Sequence, residues 1–204
     1  MKEFWSRYSY KAVKIFVAQL AIALFGLMLA LATGKNEALS WLQILTSILS
    51  VGFLLFIIYG DVWKTGTEDR PSVVAGRRKE NPMTGVYIGL LANAPNFLLS
   101  LIFLIGTIFP DTVIQQIGGV AAWIHLFVHG EYTGILAVKI ADAPLNTMPW
   151  AHFAITIPSI VTCFVAYLMG VREKHLTNLF IPVSPEEKEQ KDEKKKQRKG
   201  DGDD

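Results

Sequence analysis

Two groups of polar residues could do chemistry in this sequence, because each lies in or beside an otherwise apolar run. The first is the motif Asn93-Ala94-Pro95-Asn96, near the middle of the uncharged stretch 84–109. Pro95 has no backbone N–H, so the carbonyl of Leu91 loses its helical partner. At 100° per residue, Asn93 and Asn96 share one helix face, and their amides could satisfy this carbonyl or bind a polar ligand.

Pro158 frees the carbonyl of Ala154 in the last apolar run in the same way. Interrupted helices that meet near the bilayer centre form the substrate sites of many transporters. Prolines are also tolerated as kinks in membrane spans, and asparagine commonly bonds neighbouring helices. The pattern therefore predicts a midplane polar site at Asn93, Pro95, Asn96 and Pro158, and leaves structural and ligand-binding roles both open.

The second group is His125-Leu-Phe-Val-His129-Gly-Glu131. Histidines four residues apart share a helix face and can bind one metal ion, with Glu131 as a third ligand. The glutamate that follows the first histidine in the zinc-protease motif HExxH is absent here. The alternative is a pair of interfacial histidines on an amphipathic helix. Three further residues would join a metal site only if the fold gathers them: Asp111, Asp142 and His152.

Composition places these groups in a membrane. The chain has 204 residues and is 51% hydrophobic, which is too apolar for an ordinary soluble domain. Its single cysteine, Cys163, excludes an internal disulfide framework and CxxC motifs. No cofactor is predicted. The basic residues lack interleaved aromatics, so nucleic acid is not an expected partner.

Four apolar runs, at about 12–33, 39–59, 84–109 and 150–170, are each long enough to cross a bilayer as a helix. The sequence predicts an all-α integral membrane protein, a four-transmembrane-helix bundle formed by residues 1–170. Residues 171–204 form a charged tail, which we expect to be cytoplasmic and partly disordered.

The segment 110–149 does not fit this pattern simply. Residues 113–128 form an amphipathic helical pattern with Ile117 at the centre of the apolar face. We expect an extra helix on the outer face of the membrane, either lying on the interface or forming half of a re-entrant hairpin with 131–141.

Lysine and arginine counts predict the orientation. Eighteen of these residues fall in the N-terminal segment, the polar loop 60–83 and the tail, and two fall in the remaining connections. The positive-inside rule therefore places both termini in the cytoplasm, and we expect a bacterial cell membrane. The loop is expected to anchor the protein rather than bind a ligand, and the tail run Lys194–Lys199 could touch anionic lipid weakly. The charged loop residues considered are Asp61, Asp69, Arg70, Arg77 and Arg78.

The leading functional hypothesis is a non-enzymatic subunit or interaction partner in a membrane complex, because small-residue faces such as Gly85/Gly89 suit helix association. The alternative is a transporter or permease component with the midplane site at Asn93, Asn96 and Pro158. A third hypothesis is a membrane enzyme with an outer histidine metal site. The substrate, partner and physiological process cannot be read from the sequence.

Overall fold

The two longest helices, α1 (Lys2–Thr33) and α2 (Ser40–Val74), pack along each other at the start of the chain. The computed structural model describes residues 2–33, 40–77, 79, 81–109, 112–140 and 142–174. Helices α3 (Met83–Ala92) and α4 (Ala94–Ile108) follow. Helix α5 (Thr112–Val128) leads through a 3₁₀ turn (Gly130–Tyr132) into the short α6 (Thr133–Leu136).

The described part of the chain ends in a helix that is interrupted near its N-terminus. An antiparallel pair of two-residue strands, β1 (Lys139–Ile140) and β2 (Ala143–Pro144), is followed by a 3₁₀ turn (Leu145–Thr147). Helices α7 (Pro149–Ala154) and α8 (Ile157–Val171) complete the described part of the chain. Three helical segments are long and apolar enough to cross a membrane: α1, α2 and α7–α8. The pair α3–α4 would be a fourth if it counts as one span with a 58° bend.

Helix α2 is longer than the sequence predicts, because residues 60–74 continue the helix instead of forming a loop. Their charges face α1, where Lys14 pairs with Asp61 at 2.7 Å and Lys11 pairs with Glu68 at 3.0 Å. These side chains were expected to mark a solvated connection. Partners on a neighbouring helix make a charged helical extension stable.

The small-residue faces of the helices contact the backbones of neighbouring helices in the same chain. A Cβ atom at Gly85 would collide with the carbonyl of Cys163 on α8, and one at Gly170 would collide with the carbonyl of Trp63 on α2. Helices α3 and α8, and α2 and α8, therefore approach each other where glycine leaves room. The glycines that suggested external partners serve the packing of this chain itself.

Helix α5 packs antiparallel to α4, mainly through its small residues and not through the apolar face centred on Ile117. Its buried residues are Gly118, Ala121, His125 and Val128, whereas Ile117 is 54% exposed. A Cβ at Gly106 of α4 would lie 2.6 Å from the Cα of Gly118. Close contact with α4 requires the small side of α5, so the apolar side faces outward. This arrangement is usual in membrane proteins, where small residues contact neighbouring helices and lipid covers the large apolar side chains.

Beyond α5, the 3₁₀ turn crosses α1. A Cβ on Gly26 would lie 2.7 Å from the Cα of Glu131, and Gly134 of α6 donates its backbone N–H to Ser47 Oγ of α2 at 2.7 Å. The segment 112–136 thus packs on one side against α1, α2 and α4. Large apolar side chains cover much of the outer surface of the long helices, for example Met28 and Phe56.

Candidate ligand site in the helix interior

The two broken helices meet through one hydrogen bond. Asn93, at the break between α3 and α4, donates from Nδ2 to Ser159 Oγ on α8 at 2.8 Å. Ser159 in turn donates to the carbonyl of Thr156, at the break between α7 and α8, at 2.9 Å. Pro95 and Pro158 each occupy the first turn of the helix that follows a break, where a missing N–H costs nothing.

The orientation of the Asn93 amide follows from its neighbours. Its Nδ2 also lies 2.9 Å from the carbonyl oxygen of Gly89, which can only accept, so this atom is the amide nitrogen. Asn93 Oδ1 therefore accepts from Asn96 Nδ2 at 2.9 Å. The second N–H of Asn96 goes to Gln19 Oε1 on α1 at 3.1 Å. Both asparagines are turned toward neighbouring helices and are at most 2% exposed.

Gln19 extends this chain to the turn after α5. Its Nε2 donates to the carbonyl of Val128 at 3.3 Å and lies 3.0 Å from Nδ1 of His129. With both N–H groups of Gln19 directed this way, His129 Nδ1 is the acceptor. The network thus assigns the proton of a neutral His129 to Nε2.

Two further histidines are assigned in the same manner. Ser100 Oγ donates to the carbonyl of Asn96, so His125 Nε2, 2.9 Å from that hydroxyl, must be the donor to it. His152 Nε2 lies 2.9 Å from the carbonyl oxygen of Asn146 and also donates. The Nδ1 atoms of His125 and His152 consequently carry free lone pairs.

The three imidazoles form one group. The ring centroids of His125 and His129 are 4.5 Å apart, and those of His125 and His152 are 4.4 Å apart. All three residues are at most 3% exposed. His152, which lies 23 residues beyond the His125/His129 pair, joins them because α7 packs against α4.

Glu131 lies beside this group and is completely buried. Neither of its carboxylate oxygens has a hydrogen-bond partner among the described residues. The imidazole Nδ1 of His129, 3.5 Å from Glu131 Oε1, is the titratable atom that faces it. A carboxyl group removed from water without a hydrogen bond costs several kcal/mol, so such a group calls for a ligand.

The structure gives no support to the predicted metal site at these residues. The described part of the chain holds no group of three or more histidine, cysteine, aspartate or glutamate residues arranged to hold a metal ion. The hydrogen bonds explain why: the Nδ1 lone pair of His129 is already used by Gln19. His125, His129 and Glu131 are brought together as their spacing suggests, Asp142 lies in the turn between β1 and β2, and Asp111 lies outside the described residues.

A second buried carboxyl lies near the other end of the bundle. Asp69 of α2 is 1% exposed and accepts hydrogen bonds from Arg7, from Tyr8 and, at 2.9 Å, from Tyr167 of α8. These donors join α1, α2 and α8. Glu131 differs from Asp69: three side chains donate to Asp69, whereas no described residue donates a hydrogen bond of normal geometry to Glu131, although Gln19 and the backbone of Glu131 itself act on its carboxyl group.

The remaining charged residues of the predicted loop have surface positions. Asp61 pairs with Lys14, and Arg70 pairs with Glu173. Arg77 is exposed, and Arg78 lies outside the described residues. The tail run Lys194–Lys199 also lies outside them. None of these contacts gathers a ligand site.

Two residues beside the three buried histidines were not singled out from the sequence, Gln19 and Tyr132, whereas Ser100 was expected on the same helix face as Asn93 and Asn96. Gln19 carried a signal, since it is the single polar side chain between Lys14 and Thr33.

Comparison of the chain with family models, with curated proteins and with solved structures found no match.

Proposed function

We propose that this chain is a transport component of a cell membrane, and that the interior cluster of His125, His129, Glu131 and His152 binds the transported ligand. The observation that carries this proposal is the carboxyl group of Glu131, which is buried without a hydrogen bond. Ionisable groups placed inside a membrane usually mark substrate or ion pathways.

In this proposal the bundle has four spans, α1, α2, α3–α4 and α7–α8, with both termini in the cytoplasm. The segment from α5 to α6 re-enters from the outer side. Its turn contacts α1 at Gln19, which lies about 25 Å from the start and about 21 Å from the end of that helix. This position supports a ligand site close to the middle of the membrane, which is where transporters with broken helices bind their substrates.

The packing of the chain favours this function over a purely structural one. Asn93 and Ser159 join two broken helices beside the site, and the glycines that suggested a partner are occupied within the chain. Neither α3–α4 nor α7–α8 contains an acidic residue, which counts against a proton-coupled pump built from these two spans alone. Glu131 reaches the interior from outside those spans.

A second proposal keeps the assembly role and rests on α2. Only 22% of the most apolar 18-residue stretch of α2 is buried, compared with 44% of the corresponding stretch of α7–α8. A Cβ atom added at Gly52 or Gly60 of α2 would meet no atom of another helix within 4 Å. Another membrane subunit could cover this face. Copurification of the full chain from mild detergent tests it: a lone monomer would contradict assembly.

Uptake of labelled solutes by liposomes containing the purified chain tests the transport proposal. A panel of small cations, anions and neutral solutes should reveal at least one solute that enters faster than into empty liposomes. Glu131→Gln should abolish that uptake. Glu68→Gln, the same change in an exposed ion pair, is the matched control and should leave it unchanged. The absence of uptake across the panel, or full uptake by Glu131→Gln, would overturn the proposal.

A further inference from the structure

The unpartnered atoms of the interior cluster are mostly acceptors. Seven buried side-chain atoms in the described part of the chain have no hydrogen-bond partner. Five belong to the interior cluster, and the other two belong to its neighbours Asn96 and Tyr132. With the tautomers assigned above, two of the seven atoms carry hydrogen: His129 Nε2 and the Tyr132 hydroxyl. The other five are acceptors when Glu131 is ionised: Asn96 Oδ1, His125 Nδ1, His152 Nδ1 and both oxygens of Glu131.

An excess of acceptors selects a ligand that supplies hydrogen-bond donors. An anion would meet lone pairs and a carboxylate, and would be repelled. Without a cation, burial favours the protonated form of Glu131, and a water molecule, which carries no charge, would leave it protonated. A transition-metal ion would need at least three ligands, and no three histidine, cysteine, aspartate or glutamate residues in the described part of the chain are arranged to hold one. A small cation that carries N–H groups satisfies both requirements.

A surface cleft reaches one member of this cluster, His152. Its volume is about 370 Å³, and it lies between α5 and the segment that runs from α6 to α7. Trp123, at the exposed side of the cleft, could hold a cation against its ring face. His152 belongs to both regions, since it lines the cleft and its ring packs against His125. The other lining residues are Gly119, Ala122, Leu126, Leu136 and Asn146.

We infer that the ligand of the interior cluster is a small monovalent cation with N–H donors, ammonium or a primary ammonium ion, and that it enters through this cleft past His152. The inference rests on the proposed transport function and specifies its substrate class. The cation displaces the proton of Glu131 to solvent, the carboxylate that forms supplies the compensating charge, and the lone pairs of His125 and His152 accept hydrogen bonds from the cation.

Thermal unfolding of the purified full chain in detergent tests the ligand class. Ammonium chloride and methylammonium chloride should raise the unfolding midpoint by roughly 3–6 °C at ten times the dissociation constant. Tetramethylammonium chloride, which has no N–H group, and sodium chloride at equal ionic strength should not. Glu131→Gln should remove the shift, whereas Glu68→Gln should keep it.

The outcomes separate this inference from the function on which it rests. An equal rise with tetramethylammonium or sodium would overturn the requirement for N–H donors. No rise with either ammonium salt, together with Glu131-dependent uptake of another solute, would overturn the ligand class and leave the transport function standing. No rise, and no uptake of any solute, would overturn both.

The entry route has its own test, in which charge movement is recorded after ammonium chloride is added to proteoliposomes on a solid-supported membrane. Neutral ammonia carries no charge and does not contribute to this signal. Gly119→Leu places a side chain in the cleft at a position with no neighbour within 4 Å, so the fold should tolerate it. Its current should rise severalfold more slowly than that of Gly52→Leu, the same change at an open site on α2. Equal rates would overturn the cleft as the route.

Discussion

The Oε1 atom of Glu131 lies 3.5 Å from Nδ1 of His129, and that nitrogen is already engaged by Gln19. Glu131 is therefore buried beside a polar neighbour whose facing nitrogen is already occupied as an acceptor. Asp69, equally buried, is surrounded by donors. The first carboxyl group therefore differs from the second, which is held by its donors within the fold; in our proposal Glu131 is the one that binds a ligand.

Asp69→Ala should destabilise the protein. The substitution leaves the buried hydroxyls of Tyr8 and Tyr167 without their acceptor and removes the charge that faces Arg7. A loss of about 3 kcal/mol is expected from the removal of charge-assisted hydrogen bonds. Denaturant titration of the detergent-solubilised chain would measure it, and unfolding at the wild-type midpoint would contradict the structural role of Asp69.

Gly85→Ala should be costly, because its Cβ would collide with the backbone carbonyl of Cys163, and neither helix can move without disturbing the α3–α8 contact. We expect a loss of about 2 kcal/mol or more from overpacking. Gly52→Ala is the matched control in open space and should gain about 0.5–1 kcal/mol through helix propensity. Equal effects at the two positions would mean that α3 and α8 are not in close contact.

The tautomer of His129 can be observed directly. Nitrogen NMR of histidine-labelled protein should show a neutral ring with hydrogen on Nε2 and a hydrogen-bonded, bare Nδ1. Gln19→Leu removes the donor and should shift the Nδ1 resonance, while the resonances of His152 stay in place. A proton on Nδ1 of wild-type His129 would contradict the chain of hydrogen bonds that begins at Gly89.

The proposed orientation predicts which cysteines react from which side. Cys163 is fully buried and should stay unlabelled in the native protein, so it provides a silent background. Lys139→Cys, next to the β1–β2 turn, should react with an impermeant maleimide added outside intact cells. Lys79→Cys should react only after the membrane is opened. Labelling of both positions from the same side would rule out this topology.

The burial of Asn93 and Asn96 could be predicted from the sequence, because helical geometry places them on one face with the small residues of an uncharged run. The stacking of His125 on His129 follows equally from their spacing of four. These are local relationships along one helix. The meeting of Asn96 with Gln19, or of His125 with His152, depends on how distant helices pack, and spacing along the chain does not contain that information.

Helix α5 shows a different limit. The amphipathic pattern predicted a helix on the interface or half of a re-entrant hairpin, but not which face packs against other helices; the structure buries the side with Gly118, Ala121 and His125. In a membrane, small residues permit close helix contact and large apolar residues face lipid, so hydrophobic periodicity marks the outer surface. The charges of 60–74 misled in a similar way, since their partners on α1 lie more than 40 positions away.

The most direct test of the account measures stability and uptake on the same preparations of Glu131→Gln and Asp69→Asn. The predicted result is a separation of the two properties. Glu131→Gln should unfold within about 1 kcal/mol of the wild type, because no hydrogen bond is lost, and should lose at least tenfold in uptake rate. Asp69→Asn should lose stability while its folded fraction transports normally. Uptake by Glu131→Gln at the wild-type rate would contradict the claim that Glu131 is kept unpartnered for a ligand.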